Sequence, residues 1–421
     1  MSLLRPVHAA KRVYDEYPRT FWTIAVVTFI DRLGGALIFP FFALYITDKF
    51  GVGMTEVGIL FMLFSVPSLF GGLIGGALAD RFGRKGVIVF SLTATAASTL
   101  MMGFIESLEA FYVLAVLVGL LADVGGPAYQ AAMADILPEE QRASGFGLIR
   151  VIFNLAVVIG PAIGGLLASR SYLLLFIADA IASGITTLIV IFFLPETRPQ
   201  QISQQQPESM ARTFGGYAYP LKDATFMFFV LACMLQGFVY TQMGSTLGVY
   251  LRDSHGVAEQ GYGLLLSLNA AMVVVMQFWI TRRIEKRPAF LIMVIGTLLY
   301  AIGFGLYGPA TTMTWFVIAM IVLTVGEMLV APVMQALVAR MAPEDMRGRY
   351  MAVFGFAWVP PSALAPLAAG VVMDNYDPRW VWYASAVIGT ISAAMFFRLH
   401  QREVRQTAAA AAAVAGPPGA T

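Results

Sequence analysis

The sequence predicts an all-α membrane protein with twelve transmembrane helices in two parallel six-helix bundles. Three observations predict it. The 421-residue chain is 58% hydrophobic and only 12% charged, with a mean hydropathy of +0.75, which is more apolar side chain than a water-soluble core needs. The apolar residues gather into twelve runs, each near the length of about 20 residues that crosses a hydrocarbon layer as a helix. A constant shift of 205 residues lays the second half of the chain on the first.

The runs, taken in order, give the elements. A charged segment, 1–20, precedes α1 (21–46), which is too long and too interrupted for the core of a signal peptide. The runs α2 (55–79), α3 (86–105), α4 (110–136), α5 (145–168) and α6 (172–194) complete a first bundle over 21–194. Residues 195–224 are polar and rich in Gln and Pro, the composition of a linker. The runs α7 (225–251), α8 (261–280), α9 (289–307), α10 (314–339), α11 (351–373) and α12 (380–397) form a second bundle over 225–399. Residues 400–421 end in "AAAAAAVAGPPGAT", read as a disordered tail too short to cross a bilayer. Backbone amides in lipid must be satisfied within the segment, and the runs lack the alternation of barrel strands, so helices are the expected form. The single cysteine, Cys233, falls inside α7 and permits no intramolecular disulfide.

Cation placement sets orientation. The N-terminus, the even-numbered connections and the C-terminus hold 21 of the 27 Lys and Arg, whereas the odd-numbered connections hold Lys49, Arg170, Arg252 and Arg379. Both termini are therefore expected in the cytoplasm. A formal charge of +2 gives no reason to expect nucleic acid as a partner.

The repeat is explicit in "PAYQAAMADILPEEQR" at Pro127 and "PVMQALVARMAPEDMR" at Pro332. The same shift pairs Tyr45 with Tyr250, Asp48 with Asp253, Gly51 with Gly256, Pro161 with Pro366 and Gly165 with Gly370. Six helices per unit is an even number, so the two units enter the membrane from one side and are parallel.

Between α2 and α3 the stretch "GGALADRFGRKGVIVF" sets Asp80, Arg81, Arg84 and Lys85 among Gly76 and Gly83. A positive loop alone would pin topology, and the glycines add tight turning or close helix approach. Gly76, Asp80, Arg81, Gly83, Arg84 and Lys85 resemble the α2–α3 signature of the major facilitator superfamily, a likeness that covers nearly the whole chain. Within it, Gly160, Pro161, Gly164 and Gly165 in "NLAVVIGPAIGGLL" resemble the antiporter motif of the drug/proton antiporters. Asp31, Gly35 and Pro40 of α1 resemble the first-helix pattern of MdtH-like multidrug exporters. That family's α4 pattern contains an arginine, which "LVGLLADVGGPAYQAA" lacks, so no proton-transfer role falls to an α4 arginine.

The resemblance implies alternating access by two bundles around a central site. It places Asp80 at the start of α3, or bonded to the other bundle, as part of a cytoplasmic gate whose further members are Asp135 and Arg150. It also implies that α1, α4, α7 and α10 line the cavity, and that α6 is outer support.

Charges at bilayer depth are costly and mark functional positions. Asp31, Arg32, Asp123, Arg150, Asp179 and Glu327 qualify. Asp31, Asp123 and Glu327 fall near mid-depth and are the expected proton carriers, because desolvation disfavours the charged form of a carboxyl. Asp179 is expected to be structural. Arg32, Phe39, Gln236, Tyr240, Gln242, Asn154 and Asn269 are the expected cavity residues, Gln236 being the repeat partner of Asp31.

These features point to a proton-coupled secondary transporter exporting small amphipathic or cationic compounds. It needs no cofactor beyond a proton gradient, and its partners are substrate, protons and the bilayer, the chain itself acting as a monomer. The alternative is a facilitator or flippase of the same fold for a metabolite, siderophore or lipid. No ATP-binding loop of the G-x-x-x-x-G-K-[ST] type occurs, against a primary pump. His8, His255 and His400 lie at helix ends or in tails, and no metal-ligand cluster is visible, against an enzyme or a metal site. A sensor would be expected to carry a signalling domain, which the sequence does not show. The expected location is the bacterial cytoplasmic (inner) membrane.

Overall fold

The computed structural model describes residues 14–122, 124–197, 218–343 and 346–415. The twelve expected spans are helical: α1 Arg19–Phe50, α2 Met54–Phe82, α3 Arg84–Phe104, α4 Leu108–Ile136, α5 Glu139–Ala168 and α6 Leu173–Phe193 in the first half. The second half has α7 Ala224–Ser245 continued by Leu247–His255, α8 Glu259–Ile284, α9 Ala289–Leu306, α10 Met313–Met341, α11 Arg347–Phe356 with Val359–Asn375, and α12 Arg379–Ala415. No strand occurs among the described residues.

The repeat seen in the sequence is also a repeat of local conformation. Pro40 cannot donate to the helix ladder, and α1 tightens into a 3-10 turn at Phe39–Phe41. The shift of 205 carries Phe41 to Thr246, where α7 breaks. Gly51 and Gly256, also repeat partners, both end their helices in the left-handed region, at φ of 62° and 65°, a conformation that costs a glycine little.

The chain forms two compact units. One joins the first six helices to Leu247–Ala270; the other holds 218–246 and the chain from Ala271 onward. The break at Thr246 therefore hands the end of α7 and the start of α8 to the first unit, 24 residues that the sequence assigns to the second bundle. In the first unit, Phe21, Val27, Ile88, Leu92, Ala128, Met133 and Val190 share one apolar core between α1, α3, α4 and α6. At its other end Phe42, Tyr45, Phe111 and Phe176 pack ring on ring. In the second unit Phe229 stacks on Phe354 and meets Phe290 and Phe396 edge-on, drawing α7, α9, α11 and α12 together.

Two boundaries differ from the sequence expectation. The last helix runs to Ala415 instead of giving way to a disordered tail at 400, because the alanine run is the strongest helix former and the Arg340–Glu403 ion pair, 2.7 Å, ties the extension to α10. And α2 extends through Asp80 to Phe82. Asp80 is thus in the last turn of α2, not at the start of α3, since the turn is made at Gly83 with φ of 91°. The linker residues 198–217 and the tail beyond 415 lie outside the described residues.

Candidate functional site

In the first unit, a polar cluster forms where α1, α4, α5 and α6 meet. Asp31 Oδ2 lies 3.9 Å from Arg32 Nε, and the Arg32 guanidinium rests 5.3 Å from the Phe153 ring centroid on α5. Adjacent residues on a helix point about 100° apart, so the long arginine reaches around to its neighbour. Tyr129 of α4 has a buried hydroxyl with no hydrogen-bond partner, within the electrostatic reach of both Asp31 and Arg32. Asp179 of α6 is 4% exposed, lies beside Thr99 of α3, and packs on the backbone of Gly34 in α1. A side chain at residue 34 would overlap the Asp179 carboxyl, so this acid doubles as packing.

In the second unit, Tyr240 of α7 donates to Glu327 Oε1 of α10 at 3.0 Å. Tyr300 of α9 packs edge-on against Tyr240, 6.0 Å between centroids, and beside Glu327. One turn earlier on the same face of α7, Gln236 is 2% exposed and its Oε1 has no partner. An acid, two phenols and an unsatisfied amide oxygen therefore share one region of the bundle, a set able to exchange protons and accept hydrogen bonds.

Other expected cavity residues behave differently. Gln242 gives its amide protons to the Phe238 and Ala365 carbonyls and accepts from Thr246 at 2.5 Å. Its polar group is consumed in holding the α7 break against α11, a structural task in place of the cavity role expected. Phe39 is 57% exposed, edge-on to Phe61 of α2. Asn154 is half-buried on α5, and Asn269 is buried on α8. Asp123, the third expected carrier, lies outside the described residues, as does the side chain of Asp80.

The α2–α3 loop is tied into its own unit. Arg84 Nε donates to Asp135 Oδ2 at 3.0 Å, and Lys85 Nζ to the Ile191 carbonyl at 2.7 Å. Glu196, just past α6, accepts from the backbone N–H groups of Arg84 and Lys85 at 2.9 and 3.2 Å. It thereby caps α3 with an anion where the helix dipole favours one. Arg81 rests over the Phe82 ring, and Gly76 lies near Pro127 of α4. Arg150 is exposed on α5 and forms no ion pair with Asp135, which Arg84 occupies. Glu196 was not foreseen from the sequence; an acid directly after α6, on the cation-rich side, was the available signal.

Gly160, Pro161, Gly164 and Gly165 make a notch with two faces. A Cβ at Gly164 would stand 2.7 Å from Phe41 Cε2 and 2.8 Å from the Leu37 carbonyl, both of α1. At Gly165 it would stand 3.0 Å from the Glu259 carbonyl, and Gly263 of α8 approaches the Pro161 carbonyl. The same unit holds a polar tie that the sequence reading missed. Arg252 donates to the Leu44 carbonyl at 3.2 Å and to Thr47 Oγ1 at 2.8 Å, while pairing with Asp253 at 2.6 Å. Tyr172 donates to Glu259 at 2.7 Å. Partial burial pulls the Arg252 pKa down, but its bonds to Asp253 and Tyr172 outweigh that and raise it above the ordinary value. Thr47 is the repeat partner of Arg252, which was the signal available in the sequence.

The sequence profile described as Major Facilitator Superfamily matches residues 24–366 and 329–418. The chain belongs to the Major Facilitator Superfamily. As a member it is a multi-pass membrane transporter and not an enzyme. Among superfamily relatives, it is 29% identical over 360 residues to a Na(+), Li(+), K(+)/H(+) antiporter of Planococcus maritimus, covering 79% of this chain and 84% of the relative. It is 25% identical over 343 residues to the class C tetracycline resistance protein of Escherichia coli, covering 79% and 85%. The multidrug resistance protein MdtH of Salmonella paratyphi B is 23% identical over 367 residues, covering 86% and 89%. The fold matches that of the nucleoside transporter NupG with a TM-score of 0.76 at 16% identity, over 90% of this chain and 99% of that one.

Proposed function

We propose that this transporter exports small amphipathic or cationic compounds in exchange for protons, by alternating access, with Glu327 and Asp31 as the proton-carrying acids. The observation that carries the reading is the Glu327–Tyr240 bond at 3.0 Å inside the apolar spans α10 and α7, with the unsatisfied Gln236 oxygen one turn away. An acid kept at that depth is costly unless it does work. A carboxyl that loses its proton gains affinity for a lipophilic cation, and one that regains it releases the cation. Tyr240 and Tyr300 supply ring faces for such a cation. Proton entry gains about 2.3 kcal/mol per 100 mV of membrane potential, enough to drive uphill export. We place the protein in the bacterial cytoplasmic membrane as a monomer with both termini in the cytoplasm, from the cation distribution.

A second reading is exchange of monovalent metal cations for protons, favoured by the likeness to the Planococcus antiporter. One assay separates the two. Purified protein in weakly buffered detergent is given lipophilic cations, then Na⁺, Li⁺ and K⁺, and proton release is recorded. Release on lipophilic cations that disappears in Glu327→Gln or Asp31→Asn is the expected result. Release on the metal ions alone selects the second reading. Binding without release in either arm removes both acids from the proton role and leaves a facilitator or flippase.

A further inference from the structure

The two repeats spend their loop cations differently. In the first half, Arg84 is neutralised by Asp135 and the turn into α3 is held by Glu196. The shift of 205 carries Asp135 to Arg340 and Glu196 to Gln401. Both acids that serve the α2–α3 loop are therefore missing from the places that would serve the α8–α9 loop. Yet this second loop carries more charge: Arg282, Arg283, Lys286 and Arg287, with Glu285 as its one acid. All five are exposed. Among the described residues, none of the four cations forms an ion pair.

The end of α8 also presents an apolar surface beside them. Gln277 faces α10, donating to the Met328 carbonyl at 3.0 Å and to Thr281 Oγ1 of its own helix. The helix surface outside these contacts exposes Val275 at 78%, Phe278 at 67% and Trp279 at 57%. One turn on, the Arg282 guanidinium sits 4.5 Å from the Phe278 centroid and that of Arg283 4.6 Å from the Trp279 centroid. Topology requires only that positive charge be present on this side. It does not require two guanidinia docked on two exposed rings. Rings at the lipid boundary with cations directly beyond them match an acyl chain and its charged headgroup.

We propose that the end of α8 and the α8–α9 loop form a binding site for an anionic phospholipid, whose phosphate is held by Arg282 and Arg283 with Lys286 and Arg287 and whose acyl chain lies on Val275, Phe278 and Trp279. The external phosphate replaces the internal acids that the first repeat supplies to its own loop. This site is independent of the proton-carrying acids and stands whichever substrate is transported.

The test uses the full chain in nanodiscs of phosphatidylcholine doped with phosphatidylglycerol, with bound lipid counted by native mass spectrometry. Phosphatidylglycerol is expected to be retained over phosphatidylcholine, and R282Q/R283Q to weaken that retention by about 30-fold, at the usual gain per interfacial cation. The rings are checked by F278A/W279A, expected to weaken it with all four cations present. Equal retention of the two lipids, or no change in R282Q/R283Q, overturns the site. So does an equal loss in R398Q/R405Q, which removes two cations elsewhere and would show a bulk charge effect. Soluble glycerol phosphate that displaces the lipid at matched concentration would make this a free-phosphate site and overturn the lipid assignment.

Discussion

Gly164→Ala probes how closely α5 and α1 must approach. The new methyl carbon would stand 2.8 Å from the Leu37 carbonyl oxygen and 2.7 Å from Phe41 Cε2, against 3.4 Å where ordinary contact begins. The Phe41 ring has nowhere to yield, being fully buried and in ring contact with Tyr262 at 5.7 Å. The backbone of α1 must therefore retreat by about half an ångström. Overpacking of this kind costs about 1–3 kcal/mol. Alanine returns up to about 1 kcal/mol through helix propensity, so the net change is destabilising by up to about 2 kcal/mol. Gly147→Ala is the internal control: it lies on the same helix with nothing within 4 Å of its would-be Cβ, and should gain the propensity term alone. The assay is unfolding of both variants in mixed micelles against the parent. If G164A is as stable as G147A, the notch does not set the α1–α5 distance and the packing account is wrong.

Other outcomes follow from the same structure. Arg84→Gln removes the bond to Asp135, a pair at the protein surface, and should cost up to about 1 kcal/mol in unfolding; an unchanged midpoint would show the pair to be idle. Arg252→Gln loses its donors to Leu44 and Thr47, so amide exchange in Leu247–Ala270 should accelerate while α9 and α10 keep their protection; uniform exchange across all of them would refute a local tie. Asp377 is held below its ordinary pKa by bonds from the side chain and backbone of Arg379. A lowered carboxyl contributes above its unfolded pKa and is lost as pH falls through the folded one, so Asp377→Asn should lose a small increment at neutral pH and show a flatter acid limb; identical acid limbs would contradict it.

The sequence by itself determined the helices, the repeat and the family. Each rests on properties local to the chain: span length from unbroken apolar runs, family from motif residues, and the doubled architecture from one constant shift. It also marked Asp31, Glu327, Tyr240 and the α5 glycines as candidates, because charge in an apolar run and small residues at close spacing are visible one residue at a time. Only the tertiary structure decided which of these act together. Gln236 and Gln242 look alike in the sequence of α7, yet one keeps an unsatisfied oxygen and the other is consumed by the break at Thr246. Glu196 and Asp135 are 61 residues apart in the sequence and serve one loop, while their repeat partners are Arg340 and Gln401. A hydrogen bond depends on distance in space, which composition and periodicity do not encode. The chain therefore announces its charges, and the fold assigns their partners.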